Sequence, residues 1–255
     1  MIEMNSHILP GRGTSPKSVH ESIQMAKDAT KHGIRTIVAT PRHLDGNNDN
    51  PKLDILEDVI HFRNELEQAN IPLTVLAGQE IRLSWDLLER LEKNELLPIN
   101  EKSTYVLIEF PPNHIPKFSE QILFDLQMKG YIPIIAHPER NNEFFKRPQF
   151  LYNLVKKGML VQLTAGSVTG RFGKKIAKFA HELMGANLVH FISSEANHTR
   201  KYPFELKEAY KKIEKSFGKH MHYYFLENTQ ALIENETIFA EPPTRIKSKK
   251  FFGII

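Results

Sequence analysis

The chain has 255 residues, with 34 lysines and arginines against 30 aspartates and glutamates, and it contains no cysteine. A hydrophobic fraction of 40% and a charged fraction of 25% are typical of a globular protein with a large core. The lack of cysteine excludes a disulfide scaffold, a zinc finger, an iron–sulfur cluster and a cysteine nucleophile. The net charge of +4 is too small to indicate nucleic-acid binding.

Two further features of the sequence bear on its location. No apolar run approaches the roughly 20 residues that a membrane-spanning helix needs. The first four residues, Met-Ile-Glu-Met, lack the basic segment and long apolar segment of a signal peptide. We therefore expect a cytoplasmic protein with no membrane span.

Short apolar runs alternate with amphipathic stretches along the chain. The predicted strands are residues 2–6, 36–40, 73–77, 105–110, 132–136, 160–164 and 188–193. The predicted helices are residues 16–32, 53–69, 85–93, 118–129, 148–157, 174–184 and 204–217. Four glycines just before strands, at the positions where helices commonly end in the left-handed conformation, are Gly33, Gly130, Gly158 and Gly185.

This repeated order of helix, glycine and strand predicts parallel strands joined by helical crossovers. About seven such strands in a chain of this length favour a closed or nearly closed α/β barrel. An open doubly wound sheet is the alternative, but no strand is followed by the G-x-G-x-x-G pattern of that fold. We expect one barrel domain over residues 1–240. Residues 241–255 form a basic and then apolar tail, either a simple terminus or an arm that contacts a partner.

Polar and charged residues follow most of the predicted strands. Because functional side chains of α/β barrels lie at the carboxyl ends of the strands, these residues are expected to converge at one rim. The candidates in chain order are Asn5, His7, Arg42, Glu80, Glu109, His137, Arg140 and Glu195. Glu109 and His137 each end an apolar strand, where burying a polar group is costly unless it is paired or bound to a metal.

Several stretches of the chain resemble one protein superfamily. They are SHILP (6–10), IRTIVATP (34–41), GQEIR (78–82), LIEFP (107–111), GYIPIIAHPERN (130–141) and HFISSEANHTR (190–200). These motifs, spread over nearly the whole chain, are similar to those of the PHP (polymerase and histidinol phosphatase) superfamily. They resemble most closely its manganese-dependent protein-tyrosine phosphatases from capsule and exopolysaccharide operons of Gram-positive bacteria.

The resemblance implies a distorted (β/α)7-type, TIM-like barrel that holds a cluster of divalent metals, usually Mn²⁺. In that family a metal-activated hydroxide attacks phosphotyrosine on the tail of a bacterial tyrosine kinase that regulates polysaccharide synthesis. By the same resemblance, Arg140 binds the phosphate and Arg200 is a second phosphate-binding arginine. The residues of ligand type that remain are His7, Glu80, Glu109, His137 and Glu195.

The chain departs from the family pattern at several positions of the expected metal site. The altered positions are Asn5, Thr14, Arg42, Glu195 and Asn197. At Glu195 the family has an aspartate, so the carboxylate is kept on a side chain one methylene longer. The family's His-x-His motif here begins with Asn5, and its His-His pair begins with Arg42. A guanidinium does not lose its proton and cannot be a metal ligand, so it repels a divalent ion. We therefore expect fewer or more weakly bound metals than in the family.

Two roles remain open for Arg42. It either adds a third guanidinium for phosphate, or it pairs with Glu80 or Glu109 and closes the site. A shift of one position could also bring His43 or His198 into the site.

Three functions follow from the resemblance and the altered positions. The first is a metal-dependent tyrosine phosphatase of weak activity. The second is an inactive pseudophosphatase that binds phosphotyrosine or the kinase. The third, and weakest, is a phosphatase of small phosphomonoesters such as histidinol phosphate.

Overall fold

The computed structural model describes residues 1–246, and residues 247–255 of the predicted basic and apolar tail lie outside the described residues. Nine strands are present within this range: β1 Ile2–Ser6, β2 Thr36–Ala39, β3 Arg42–His43, β4 Thr74–Ala77, β5 Glu80–Arg82, β6 Tyr105–Glu109, β7 Ile132–Ala136, β8 Leu160–Thr164 and β9 Phe191–Ser193. The helices are α1 Val19–Lys31, α2 Lys52–Gln68, α3 Leu87–Glu92, α4 Ser119–Met128, α5 Asn142–Lys146, α6 Pro148–Lys156, α7 Ala165–Thr169, α8 Lys174–Gly185, α9 Leu206–Phe217 and α10 Lys219–Glu234.

All strand pairs are parallel, as the alternating pattern predicts. The strands form two sheets, of order β1-β2-β4 and β3-β5-β6-β7-β8-β9. The short strands β3 and β5 follow β2 and β4 after only two residues each. The two sheets are therefore adjacent and together form one curved wall of parallel strands, here called the curled wall. The predicted strands 36–40 and 73–77 end before β3 and β5, so the sequence pattern missed these two short strands.

The curled wall is joined across its remaining gap by contacts between β1 and the segment after β9. Ser6 forms a parallel bridge with Ala196, and the backbone N–H of His7 donates to the carbonyl of Ala196 at 2.9 Å. The backbone N–H of Glu195 donates to the carbonyl of Asn5 at 3.1 Å. The predicted distorted, nearly closed barrel is therefore confirmed, and the junction brings Asn5, His7 and Glu195 together.

Most of the interior is apolar, and the central strands are buried on both faces. Strands β6 and β8 are buried at every position, which is typical of parallel strands covered by helices. The helices contribute one apolar side each; α1, for example, buries Met25, Ala26 and Ala29. Within residues 1–246, no helix is both long and apolar enough to cross a membrane.

The structure corrects two details of the sequence prediction. Gly185 is still within α8, and the left-handed residue before β9 is Asn187, with φ of 54°. Asparagine tolerates this conformation better than most residues. The sequence pattern also missed α10, whose buried residues include the polar Asn228 and Thr229.

The described part of the predicted tail runs back along the barrel. The backbone N–H of Thr244 donates to the carbonyl of Ala186 at 2.8 Å. The guanidinium of Arg245 lies 5.6 Å from the ring centre of Tyr152. The division into a barrel domain and a separate tail remains a prediction.

Candidate functional site

The candidate residues converge at one rim because neighbouring strands place them in register. Arg42 on β3 is paired with Glu80 on β5, and Arg82 on β5 is paired with Glu109 on β6. Residues 80 and 82 are two positions apart in a strand, so their side chains point to the same face. Each carboxylate thus lies beside a guanidinium from the adjacent strand.

The guanidinium of Arg42 lies among three carboxylates. Its Nε donates to Oε1 of Glu80 at 2.9 Å, and its Nη2 donates to Oε1 of Glu195 at 3.0 Å. The same Nη2 is 3.9 Å from Oε1 of Glu109. The contacts with Glu80 and Glu109 that the sequence analysis considered for Arg42 are thus present, and Glu195 is a further partner.

Asn5 is fully buried and forms a polar bridge at the base of the cluster. Its Nδ2 donates to Oε2 of Glu80 at 2.8 Å, and its Oδ1 accepts a hydrogen bond from the Thr40 hydroxyl at 2.7 Å. Since both ends of the amide are occupied, Asn5 satisfies a buried carboxylate without adding charge.

His137 faces the same carboxylates from the end of β7. Its Nε2 is 3.2 Å from Oε1 of Glu80, 3.2 Å from Oε1 of Glu195 and 3.7 Å from Oε1 of Glu109. His7 is more distant, with its Nε2 3.8 Å from Oε2 of Glu80. Its other ring nitrogen, Nδ1, is buried and has no hydrogen-bond partner among the described residues.

Two residues of the cluster have left-handed backbones although they are not glycines. His137 has φ of 36° and Glu195 has φ of 53°. This conformation is uncommon for such residues and concentrates at functional sites. The backbone N–H of His137 donates to the carbonyl of Gln162 at 2.8 Å, which helps to hold the strained turn.

Arg140 lies beside Glu195 at the more open side of the cluster. Its Nη1 donates to Oε2 of Glu195, which also accepts a hydrogen bond from the Thr164 hydroxyl at 3.0 Å. The side chain of Arg140 is 30% exposed and that of Arg42 is 22% exposed, whereas that of Glu80 has no exposed surface. Solutes can therefore reach the guanidinia more easily than the carboxylates behind them.

These contacts determine the ionisation of the cluster. Burial alone would raise the pKa of Glu80, but Arg42 and His137 outweigh it and hold that pKa well below its usual value. Burial also opposes ionisation of Glu195, and His137 and Arg140 lower its pKa nonetheless. In contrast, burial and the nearby charge of Glu80 raise the pKa of Glu109.

The pKa values of the two histidines are shifted in opposite directions. Burial lowers the pKa of His7 to about 4, so its ring is neutral at neutral pH. Burial also disfavours the charged form of His137, but Glu195 and Glu80 raise its pKa above the usual value.

Other predicted site residues lie further out. Thr14 is exposed, and Asn197 is half-buried with its backbone N–H donating to the carbonyl of Tyr202 at 3.2 Å. Arg200 is exposed in the loop after β9. Their roles in the site stay predictions.

The two histidines considered as replacements have local partners instead. Nδ1 of His43 accepts from the backbone N–H of Asn50 at 3.0 Å. Nδ1 of His198 accepts from the backbone N–H of Arg200 at 3.0 Å. Each ring therefore stabilises the loop to which it belongs.

Sequence reasoning missed three side chains of the rim. Arg82 brings its Nη2 to 2.9 Å from Oε2 of Glu109. Phe172 lies under Arg140, with the guanidinium carbon 4.8 Å from the ring centre. Tyr202 lies next to Phe172, with ring centres 6.4 Å apart. The alternation of residues in β5 could have indicated Arg82, whereas loop aromatics carry no comparable pattern.

This architecture defines a class of protein: α/β barrels with functional side chains at the carboxyl ends of parallel strands. A solved structure from Acinetobacter baumannii, described as a probable 2-pyrone-4,6-dicarboxylic acid hydrolase, shares this fold at 15% identity and a TM-score of 0.53, over 91% of this chain and 98% of its own. The chain belongs to the CpsB/CapC family of capsular polysaccharide synthesis, which matches residues 1–234.

Two curated relatives match along their full length. The tyrosine-protein phosphatase YwqE of Bacillus subtilis is 44% identical over 253 residues, which is 99% of each chain. The putative tyrosine-protein phosphatase CapC of Staphylococcus aureus is 37% identical over 258 residues, covering 100% of each.

A solved structure agrees closely with the barrel described above. It comes from work on YwqE of B. subtilis and CpsB of Streptococcus pneumoniae, described as unique metal-dependent tyrosine phosphatases. It superimposes with a TM-score of 0.94 at 43% identity, over 97% of this chain and 100% of the other.

Proposed function

We propose that this protein binds phosphotyrosine on a partner of the capsule or exopolysaccharide system, such as the tail of a bacterial tyrosine kinase, and hydrolyses it weakly or not at all. The observation that carries the proposal is the position of Arg42, whose guanidinium lies among the carboxylates of Glu80, Glu109 and Glu195. Its relatives are named as tyrosine phosphatases, which supports the ligand class.

The residues of the cluster fit a divalent metal poorly. Two sets could each offer three ligand atoms within 4.8 Å of one another, namely His7, Glu80 and Glu195, and Glu80, Glu109 and His137. However, Oε1 of Glu80 and Oε1 of Glu195 already accept hydrogen bonds from Arg42. A metal ion would have to displace a guanidinium whose attraction to these carboxylates raises its pKa still further. As arranged here, these residues do not support a metal-assisted reaction step.

Phosphate binding has better support than hydrolysis. A guanidinium has five N–H donors in a planar fork that matches phosphate. The hydrogen bonds to described residues use Nε and Nη2 of Arg42 and Nη1 of Arg140. Further N–H donors on both partly exposed side chains are thus available to an anion from solution.

A second candidate is a metal-dependent tyrosine phosphatase of low activity. It is favoured by the retained ligand types in the two three-residue sets and by the metal dependence described for the homologous structure. In this case the metal would have to compete with Arg42, and occupancy and turnover would be low.

Binding and turnover of an aryl phosphopeptide, measured on the same protein with and without added manganese, test the proposal. We expect the wild-type protein to bind a phosphotyrosine peptide and to release little or no phosphate. A variant with the family residue types restored together, Asn5→His, Thr14→Asp, Arg42→His, Glu195→Asp and Asn197→His, is expected to gain manganese-dependent turnover. A metal-bound water is a nucleophile at neutral pH, and arginines alone do not supply one.

The outcomes separate the two candidates. If the wild-type protein already hydrolyses the peptide in manganese at a rate that the restored variant does not exceed, the altered positions do not impair turnover and the first candidate is wrong. Slower wild-type turnover that depends on manganese supports the second candidate, whereas binding with no turnover, or with turnover that manganese does not change, supports the first. If the wild-type protein does not bind the peptide at all, both are wrong.

A further inference from the structure

An aromatic surface borders the guanidinium of Arg140 at the rim. The ring of Phe172 lies 4.8 Å from the guanidinium carbon of Arg140. The ring of Tyr202 lies 6.4 Å from that of Phe172, with an angle of 32° between their planes. Nζ of Lys201 is 5.7 Å from the ring centre of Tyr202. We call Phe172 and Tyr202 the aromatic wall.

Close packing beneath it fixes the position of Phe172. A Cβ atom on Gly166 in α7 would lie 2.9 Å from Cε2 of Phe172 and 3.2 Å from a carboxylate oxygen of Glu205. Glycine at this position therefore allows Phe172 to lie directly on the helix. Next to it, Arg171 makes two hydrogen bonds to Glu205, at 2.7 and 2.8 Å, which join the loop before α8 to the start of α9.

The loop after β9 fixes the position of Tyr202. Its carbonyl accepts hydrogen bonds from the backbone N–H groups of Asn197 and His198, at 3.2 and 3.3 Å. The backbone N–H of Glu205 donates to the Ser194 hydroxyl at 3.0 Å, which ties this loop to the residue preceding Glu195. Both rings are half-buried, so each still presents surface to solvent beside the arginine.

We propose that the aromatic wall packs against the phenyl ring of a phosphotyrosine whose phosphate binds Arg140, and that it selects aryl phosphates over phosphoserine and free phosphate. This inference rests on the proposed function. Aromatic rings attract one another through offset or edge-to-face packing. Phosphoserine, which has no ring, would gain only the contacts to its phosphate.

The test compares three ligands on the full chain: a phosphotyrosine peptide, the same peptide with phosphoserine, and inorganic phosphate. The variants are Phe172→Leu and Tyr202→Leu, which remove a ring, and Tyr202→Phe, which keeps it. Phe150→Leu is the matched control, because Phe150 also lies under an arginine, with the guanidinium carbon of Arg147 5.6 Å from its ring centre. Dissociation constants are measured by calorimetry after thermal unfolding has established that each variant is folded.

We expect the wild-type protein to prefer the phosphotyrosine peptide. Each ring-removing variant should weaken that binding by roughly 3- to 10-fold, the range given by an aromatic contact, and leave phosphoserine and phosphate binding unchanged. Tyr202→Phe and Phe150→Leu should bind all three ligands as the wild-type protein does. Tyr202→Leu keeps the inference testable if Phe172→Leu displaces Arg140.

The aromatic wall alone would be overturned by wild-type binding without preference for phosphotyrosine, or by a Tyr202→Leu variant that keeps the preference. An equal loss for all three ligands in Tyr202→Leu would also overturn it, since the ring would then only support the arginine. A wild-type protein that binds none of the three ligands would overturn the proposed function together with the wall.

Discussion

Nε of Arg42 lies 2.9 Å from Oε1 of Glu80, a carboxylate with no exposed side-chain surface. A buried carboxylate is costly unless a cation and hydrogen bonds compensate for its lost hydration. Arg42 supplies that cation from the neighbouring strand, and Asn5 supplies a further hydrogen bond. The side chain that competes with a metal in our proposal therefore also compensates for the buried charge of Glu80.

Replacing this cation should destabilise the fold. Arg42→Ala leaves a buried carboxylate without its main partner, a change that typically costs about 3–5 kcal/mol. Urea unfolding in the presence of a metal chelator measures the loss. Arg12→Ala is the control, since Arg12 pairs with the more exposed Asp54 and Asp58. Its loss should stay within about 1 kcal/mol. Equal losses in the two variants would contradict a structural role for Arg42.

Manganese should act differently on the wild-type protein and on Arg42→His. A ligand that binds only the folded state raises stability by about 2.7 kcal/mol at a hundred times its dissociation constant. We expect manganese to leave the thermal midpoint of the wild-type protein unchanged and to raise that of Arg42→His, because the substitution exchanges a cation for a neutral ligand. Magnesium at the same concentration is the control for ionic strength. An equal rise in both proteins would refute the proposed competition between Arg42 and the metal.

Much of the barrel and of its rim can be predicted from sequence, because both depend on short-range patterns. Apolar runs such as residues 132–136 identify buried strands, and a charged residue at the end of such a run identifies a candidate like Glu109. The partners of Arg42 depend on strand register across the barrel. Sequence reasoning therefore offered Glu80 and Glu109 as partners, and the contact with Glu195 required the structure.

Helix α10 and the aromatic wall were not predicted, for different reasons. The buried side of α10 includes polar residues, Asn228 and Thr229, so its apolar periodicity is weak. Phe172 and Tyr202 belong to loops that meet only in the folded chain. A single sequence contains no signal that joins two such loop positions.

The buried carboxylate of Glu3 should make stability depend on pH. It accepts hydrogen bonds from Ser193 and Ser194, yet burial raises its pKa to about 7 from the usual 4.5. Between these two values the unfolded chain releases the proton and the folded chain keeps it. The free energy of unfolding should therefore fall by about 3 kcal/mol as the pH rises through this window.

To isolate this contribution, the free energy of unfolding is measured at pH 4.5 and at pH 7 for the wild-type protein and for Glu3→Gln. The change between the two pH values is then compared for the two proteins. Any constant loss from altered hydrogen bonds affects both ends of the window equally and cancels in the difference. An identical pH dependence in the two proteins would show that Glu3 does not titrate there.

Arg140 should contribute more to phosphopeptide binding than Arg147, a second arginine that lies over an aromatic ring. Its guanidinium pairs with Glu195 and is 30% exposed, so an arriving phosphate can bond to the donors that Glu195 does not use. Hydrogen bonds between charged groups contribute about 1.5–3 kcal/mol, so Arg140→Ala should weaken phosphotyrosine peptide binding by roughly tenfold or more. Arg140→Ala should weaken peptide binding in both the wild-type protein and the variant with restored family residues, because Arg140 binds the phosphate and not the metal. Arg147→Ala, which removes an exposed arginine that lies over Phe150, should leave the dissociation constant unchanged. Calorimetric titrations of the two variants decide the matter: an Arg140→Ala protein that binds as tightly as Arg147→Ala would place the phosphate elsewhere on the barrel.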